Sequence, residues 1–267
     1  MISTAKLDYT VKIMEKPTGK KYARVTEVTD TERIEMVKEI FATITGKYDF
    51  LNHFLSLRRD IAWRSFSVGK MHFFNTYRML DVATGTADLA IGVAGEHSRT
   101  WIIGLDFVQE MMDCGRVKIQ MKHLSDRIEM LRGDALYLPF SDGCFDVAAI
   151  AFGIRNIPNQ IGAIKEMVRV VIPGGQVMVL EMTLPRNGPF RKLYHVYLHR
   201  ILPRLARAFS SNPEAYNYLG DSIMNFPTPD ALATLMEKAG LRQVEKYSLT
   251  LGITHLHLGV KPEVPQP

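Results

Sequence analysis

Three carboxylates stand where short apolar runs give way to small-residue turns. Asp81 lies in Met79-Leu80-Asp81-Val82-Ala83-Thr84-Gly85-Thr86-Ala87-Asp88, Asp106 follows Trp101 to Leu105, and Asp134 follows Ile128 to Leu131 in Arg132-Gly133-Asp134-Ala135. A carboxylate at the carboxyl end of a parallel strand can accept hydrogen bonds from both hydroxyls of a ribose. Asp106 suits that role, with helix capping as the plain alternative. Asp134, or the backbone at Ala135, suits an adenine edge. Asp81 orients the turn or meets the polar end of a ligand, again with capping as the alternative. Thr84, Gly85 and Thr86 let a ligand approach closely, and Phe107 belongs with them beside Asp106. Gly85 stands almost alone, without the Gly-x-Gly-x-x-Gly spacing that a diphosphate requires. A sulfonium cofactor needs no such cradle. The pattern therefore favours S-adenosylmethionine over a dinucleotide, and methyl transfer as the chemistry.

These residues must be held by alternating strands and helices. Apolar runs predict strands at Arg78 to Val82, Trp101 to Leu105, Ile128 to Leu131, Phe145 to Phe152, Gln176 to Leu180, Val244 to Thr250 and Thr254 to Val260. Helices are expected at Asp88 to Ala94, Val108 to Lys122, Gln160 to Val170 and Pro229 to Ala239. Such alternation argues for an α/β fold, a mostly parallel Rossmann-like sheet with helices on both faces. Pro173-Gly174-Gly175 reads as a turn leading into the fifth strand. Upstream, Ile34, Val37, Ile40, Phe41 and Ile44 recur at helical spacing, and Leu51, Phe54 and Leu55 resume it after Gly46. The chain is thus expected to divide into an N-terminal arm and helical lid (1–69), a catalytic domain (70–262) with a helical insertion at about 186–226, and a tail (263–267).

Composition sets bounds. The chain has 267 residues, 46% hydrophobic and 23% charged, with a formal charge of +5. Those values suit one substantial globular core, and the modest charge does not demand nucleic acid. Cys114 and Cys144 have no zinc-site or disulfide spacing, so no metal is expected and a cytoplasmic enzyme fits better than a secreted module. No apolar run is long enough to span a membrane.

Three longer stretches carry a resemblance. They are Lys47-Tyr48-Asp49-Phe50-Leu51-Asn52 with Leu55-Ser56 and Trp63-Arg64; Ala151-Phe152-Gly153-Ile154-Arg155-Asn156; and Arg169 to Gly175 leading to Leu180-Glu181. Together with Tyr216-x-Tyr218-Leu219, Ser222-Ile223 and Phe226-Pro227, the chain resembles the quinone-ring C-methyltransferases of ubiquinone and menaquinone biosynthesis from about Met36 to Val260. The resemblance implies the seven-stranded class I methyltransferase fold, S-adenosylmethionine as donor, and a reduced polyprenyl quinol as acceptor. Demethylmenaquinol is the first expectation and a methoxy-benzoquinol precursor the second. Another hydrophobic phenol, or a cofactor-binding scaffold without catalysis, are the remaining readings. Carried over by motif, Thr86, Asp106, Asp134 and Ala135 would contact the cofactor, and Arg155 and Asn156 would lie beside the transferred methyl. The chain departs from the family at Ala87 (often Gly, so one methyl is added beside the cofactor), at Ala151 (often Ser), at Arg58-Arg59-Asp60 and at His195. Arg58, Arg59, Tyr194 and Tyr216 fall on the expected acceptor side.

A quinol carbon becomes a good nucleophile when the adjacent hydroxyl ionises, and phenols titrate near ~10. Arg155 would stabilise the phenolate, unless it pairs structurally with an acid. It stays protonated and is a poor base. Asn156 would orient the phenolate or a water. Asp49 and His195 are the proton-acceptor candidates. Tyr48 and Asn52 shape the quinol pocket or simply pack a helix. From Arg186 to Arg207 there are six basic residues and no acid before Glu214, with Leu198, Ile201, Leu202 and Leu205 as an apolar stripe. Peripheral contact with the inner face of the membrane is the first reading of that span. A helix packed on its own domain is the second. An RNA surface is not expected, because no nucleic-acid motif supports it. A homodimer stays open.

Overall fold

The computed structural model describes residues 22–263, apart from 187, 210, 211 and 213 and the side chains of 47 and 206–209. Expectations for residues 1–21 of the arm, for the side chain of Arg207 and for 264–267 of the tail lie outside the described residues. Seven strands form one sheet in the order β3-β2-β1-β4-β5-β7-β6. They are β1 (Arg78–Val82), β2 (Trp101–Asp106), β3 (Ile128–Arg132), β4 (Phe145–Ala151), β5 (Val171–Met182), β6 (Arg242–Leu249) and β7 (Thr254–Val260). β1 to β5 pair in parallel, and β7 runs antiparallel to both β5 and β6.

The central strands read as unbroken apolar runs because both faces are covered. Val147, Ala149, Met178 and Leu180 pack into one core cluster, while Ala148, Ile150, Val177 and Val179 pack into the other. That division follows the two-residue period of a strand. The first cluster takes in Trp63 of α3 (Arg59–Val68) and Leu89 and Val93 of α4 (Asp88–Glu96). The second takes in Ile164 and Met167 of α6 (Gln160–Val170) and Leu232 and Met236 of α10 (Pro229–Lys238). α5 (Gln109–Met121) connects β2 to β3. Cutting a fully buried Leu80 or Ile150 back to alanine would cost about 2–5 kcal/mol.

A third cluster joins two segments far apart in sequence. α1 (Asp30–Ile44) and α2 (Tyr48–Leu55) supply Val37, Ile40, Ile44 and Leu51. The run of α7 (Gly188–Val196), a π-helical turn (Tyr197–Ile201), α8 (Leu202–Phe209) and α9 (Glu214–Met224) supplies Tyr194, Leu198, Leu202, Tyr216, Tyr218 and Ile223. α1 starts at a reciprocal cap, in which the Glu32 N–H donates to the Thr29 hydroxyl and the Thr29 N–H donates to the Glu32 carboxylate. The break expected at Gly46 is a 3-10 turn, Thr45–Lys47.

Two expectations change. Pro173-Gly174-Gly175 is a bulge inside β5 rather than a turn before it: Phe145 faces Val171, and Val147 faces Gln176. Gly174 has φ +77, and a Cβ on Gly175 would lie 2.9 Å from the carbonyl oxygens of Asp146 and Ile172. Bulges and turns need the same residue types, and pairing on both sides of the bulge decides between them. Ala87 does not add its methyl to the cofactor site. It sits at the start of α4 with φ +65, and its side chain is buried in the first core cluster.

Candidate active site

All nine residues expected on the cofactor side, Asp81, Thr84, Gly85, Thr86, Asp106, Phe107, Asp134, Ala135 and Ala151, line one cleft of ≈ 1140 Å³, part of it open to solvent. It lies at the carboxyl ends of β1, β2 and β4, where parallel strands deliver side chains and loops to one edge. The Thr84 N–H donates to the Leu105 carbonyl at 3.1 Å, pinning the β1 turn to β2. Ala83, Gly85 and Ala87 in this turn all have positive φ, as does Phe152 just after β4. Left-handed backbone in non-glycine residues is costly and concentrates at ligand sites.

Asp106 is buried. One of its oxygens accepts the Gly85 N–H at 2.8 Å and the other the Val108 N–H at 2.9 Å. Burial pushes its carboxyl up, against the pull of those N–H groups. A carboxylate has about four acceptor positions, so Asp106 keeps acceptor capacity beyond its backbone partners. Asp81 is also buried and accepts the Thr84 hydroxyl at 2.7 Å. Burial raises its pKa to about 7, a state that a ligand ammonium would reverse. Phe107, Val108, Leu136 and Ile157 add apolar walls suited to a purine. The donor set fits S-adenosylmethionine.

A smaller pocket of ≈ 390 Å³ adjoins the cleft, lined by Ile40, Phe41 and Ile44 of α1, Tyr48 and Asn52 of α2, Arg155, and residues of α9 that include Tyr216 and Tyr218. Phe41 and Tyr48 line both cavities, their rings edge to face at 5.8 Å. Asn156 lines the cleft, and its side-chain oxygen accepts the Tyr218 hydroxyl at 3.0 Å from the pocket wall. Arg155 and Asn156 occupy the 3-10 turn Ile154–Asn156 beyond β4.

Arg155 does pair with an acid. Its Nη1 donates to the Glu181 carboxylate at 2.5 Å and to the Phe152 carbonyl at 2.7 Å, and Glu181 is wholly buried at the end of β5. The Arg155 Nε is buried with no hydrogen-bond partner among the described residues. Such an orphaned donor in a pocket wall needs an explanation, and an acceptor oxygen on a ligand supplies one. Burial pushes the Tyr48 phenol up, while the positive charges of Arg155 and Arg64 pull it down. Burial wins at Tyr48, and the two guanidinium groups offset only part of it.

Other expected residues lie outside both cavities. The Asp49 carboxylate accepts the Thr86 hydroxyl at 2.6 Å and pairs with Lys118 at 2.6 Å, so it ties α2 to the cofactor turn and to α5 instead of serving as a base in either cavity. His195 is exposed on α7, its ring 4.3 Å from that of His199, and it lines neither cavity. Arg58 and Arg59 are exposed at the turn between α2 and α3. Tyr194 is buried in the helical cluster and stacks on Tyr197, with its hydroxyl unpartnered among the described residues. The expected lipid-facing stripe also changes: Leu198 and Leu202 are buried in that cluster, and Arg186 pairs with Asp230.

Sequence reasoning assigned no role to Arg64, Glu181, Tyr218 or Lys118. Arg64 lines the cleft, donates to Asp60 at 2.7 Å and lies 5.1 Å from the centre of the Phe152 ring. Glu181 carried a readable signal, an acid closing an apolar strand just as Asp106 does. Tyr218 stood in the Tyr216-x-Tyr218-Leu219 stretch of the resemblance without a role of its own, and Lys118 carried no signal.

Residues 26–261 match the model of the ubiE/COQ5 methyltransferase family. The ubiquinone/menaquinone biosynthesis C-methyltransferase UbiE of Geobacter sp. (strain M21) is 40% identical over 232 residues, covering 86% of this chain and 98% of its own. A demethylmenaquinone methyltransferase of Bacillus cereus (strain AH187) is 39% identical, covering 86% of this chain and 97% of its own. Among solved structures, a SAM-dependent methyltransferase of Thermotoga maritima superposes with a TM-score of 0.57 at 18% identity, covering 84% of this chain and 98% of that one. That last similarity concerns the fold alone.

Proposed function

The chain belongs to the ubiE/COQ5 methyltransferase family, and from that premise we propose that it converts demethylmenaquinol to menaquinol. It is an S-adenosylmethionine-dependent C-methyltransferase acting on a quinol ring. The observation that carries the reading is the pair of cavities sharing Phe41 and Tyr48, with the Asp106 carboxylate in one and the Arg155 guanidinium in the other.

S-adenosylmethionine supplies an electrophilic methyl carbon. Asp106 would hold the ribose, Asp134 and Ala135 the adenine, and Asp81 with Thr84 the amino-acid end. On the acceptor side, the Arg155 Nε would donate to a quinol oxygen and stabilise it as a phenolate. Glu181 already shares the charge of that guanidinium, so Arg155 acts more as a directed donor than as a bare cation. Arginine keeps its proton, and Asp49 and His195 stand outside the pocket; the quinol proton leaves to water. Asn156 spends its carbonyl on Tyr218, which leaves its amide N–H groups for the substrate. The departures at Arg58, Arg59 and His195 fall away from both cavities, which removes one reason to expect an unusual acceptor. A polyprenyl chain keeps the quinol in a bilayer. No helix among the described residues is long and apolar enough to cross one; on the proposed reading the enzyme would meet its substrate at the membrane surface.

Purified protein with methyl-labelled S-adenosylmethionine and a panel of reduced quinols tests the reading. Ring-carbon label in the naphthoquinol is expected. Label confined to benzoquinols or to other phenols would replace the acceptor, and cofactor binding without turnover would leave only a scaffold. Arg155→Lys keeps a charge for Glu181 but removes the Nε donor. It should lower turnover about tenfold or more, the worth of one hydrogen bond to a charged group, with cofactor affinity unchanged.

A further inference from the structure

The junction of α2 and α3 exposes apolar surface that catalysis does not use. Phe50 is 59% exposed, Leu57 82% and Phe54 42%, and the rings of Phe50 and Phe54 stack at 6.1 Å. The same helix lines the acceptor pocket with Tyr48 and Asn52 and buries Leu51 in the third cluster, so α2 carries apolar side chains on two sides. The Tyr197 hydroxyl donates to the Leu55 carbonyl at 2.8 Å, fastening the end of α2 to the π-helical turn after α7. Across that fastening Leu193 is 61% exposed, and Val196 and Ile201 are exposed as well.

The exposed charges within these two segments are cationic, and the acids flanking the first are paired, Asp49 with Lys118 and Asp60 with Arg64. Arg58, Arg59, Arg191, Lys192, Arg200 and Arg204 are all exposed, and neither 50–59 nor 188–209 contains an aspartate or glutamate. Scattered exposed leucines need no explanation, but an apolar patch with a cationic rim marks a binding surface. An anionic bilayer offers both halves of the match, hydrocarbon for Phe50 and Leu57 and phosphates for the arginines. A second copy of this chain would set cations against cations.

We propose that the α2–α3 turn, with the outer face of α7 and the π-helical turn, docks on an anionic lipid surface and brings the membrane-held quinol to the pocket behind α2. Phe50 and Leu57 enter the interface, and Arg58 and Arg59 contact lipid phosphates. The inference rests on the reading that the acceptor is a polyprenyl quinol.

Sedimentation of the full chain with phosphatidylcholine vesicles, with and without phosphatidylglycerol, tests the surface directly. Binding is expected to the anionic vesicles only and to weaken with salt. R58E/R59E should reduce it about tenfold or more. F50S/L57S should reduce binding and turnover of a long-chain quinol in vesicles, while turnover of a short-chain, water-dispersed quinol stays unchanged. If F50S/L57S fails to fold by circular dichroism, the charge-reversal pair still decides. Vesicle binding unchanged in a folded variant, no vesicle binding by the unaltered chain, equal binding to neutral vesicles, or a dimer that these substitutions abolish would each overturn the docking face. Failure of the unaltered chain to methylate the short-chain quinol would overturn the catalytic reading instead, and sedimentation would still judge the surface.

Discussion

The donor cleft and the acceptor pocket meet at Phe41 and Tyr48, yet they are built from different materials. The cleft is made of strand ends. Its polar groups are carboxylates and backbone N–H groups whose positions follow from the register of β1, β2 and β4. The pocket is made of helices from two distant parts of the chain, α1 and α2 on one side and α9 on the other, held by a separate hydrophobic cluster. Sheet register leaves little freedom, whereas helix packing can shift by small amounts. On the proposed reading, the cleft would serve a whole fold class and the pocket would carry the specificity.

The largest test of this contrast strikes the ion pair between Arg155 of the pocket wall and Glu181 of β5. Glu181→Ala leaves the buried Arg155 guanidinium unpaired and should cost about 3–5 kcal/mol in denaturant unfolding. A loss no larger than that of a surface residue would mean the pocket does not depend on β5. Asp106→Ala should act on the other side alone, weakening S-adenosylmethionine about 10–100-fold by calorimetry, as expected for lost hydrogen bonds to a charged group. Equal damage to quinol KM would merge the two sites into one.

A pH titration sharpens the donor side further. The Asp81 carboxyl, near 4 when unfolded, is raised to about 7 in the ligand-free protein. The folded state then holds a proton that the unfolded chain has lost, so this group makes stability fall as pH rises from about 4 to about 7. A cofactor ammonium beside Asp81 favours the carboxylate. Binding over that window should release a proton and tighten with rising pH, as calorimetry in buffers of different ionisation enthalpy would register. Asp81→Asn should abolish the release.

The smallest effect is expected at Ala87→Gly. Relief of the left-handed backbone gains about 1–2 kcal/mol, but a buried methyl worth about 0.8 kcal/mol is lost and the unfolded chain becomes freer. A melting temperature moved by only a few degrees, with cofactor affinity unchanged, would agree with a methyl that faces the core and not the cleft.

Much of this was legible along the chain. The strands at Arg78–Val82 and Thr254–Val260 and the helix at Gln160–Val170 begin and end where the sequence pattern predicted, because periodicity and turn chemistry are local. Asp106 was legible for the same reason: an acid closing an apolar strand is a local signal. What the pattern could not carry was the choice of partner. Asp49 reads as a free carboxylate until α2 packs against α5 and Lys118 takes it. Arg186 belongs to an acid-free run until the fold brings Asp230 to it. Leu198 and Leu202 look ready for lipid until α9 packs against the π-helical turn and α8 and the helical cluster buries them.

The sequence by itself determined the sheet, the turn after β1 and which residues line the cleft. Only the tertiary structure decided which charges are spent on each other, which apolar faces remain outside and how the two cavities join. Backbone geometry answers to neighbours a few residues away. Ion pairing and burial answer to whatever is a few ångströms away, and residues separated by a hundred positions can occupy that space.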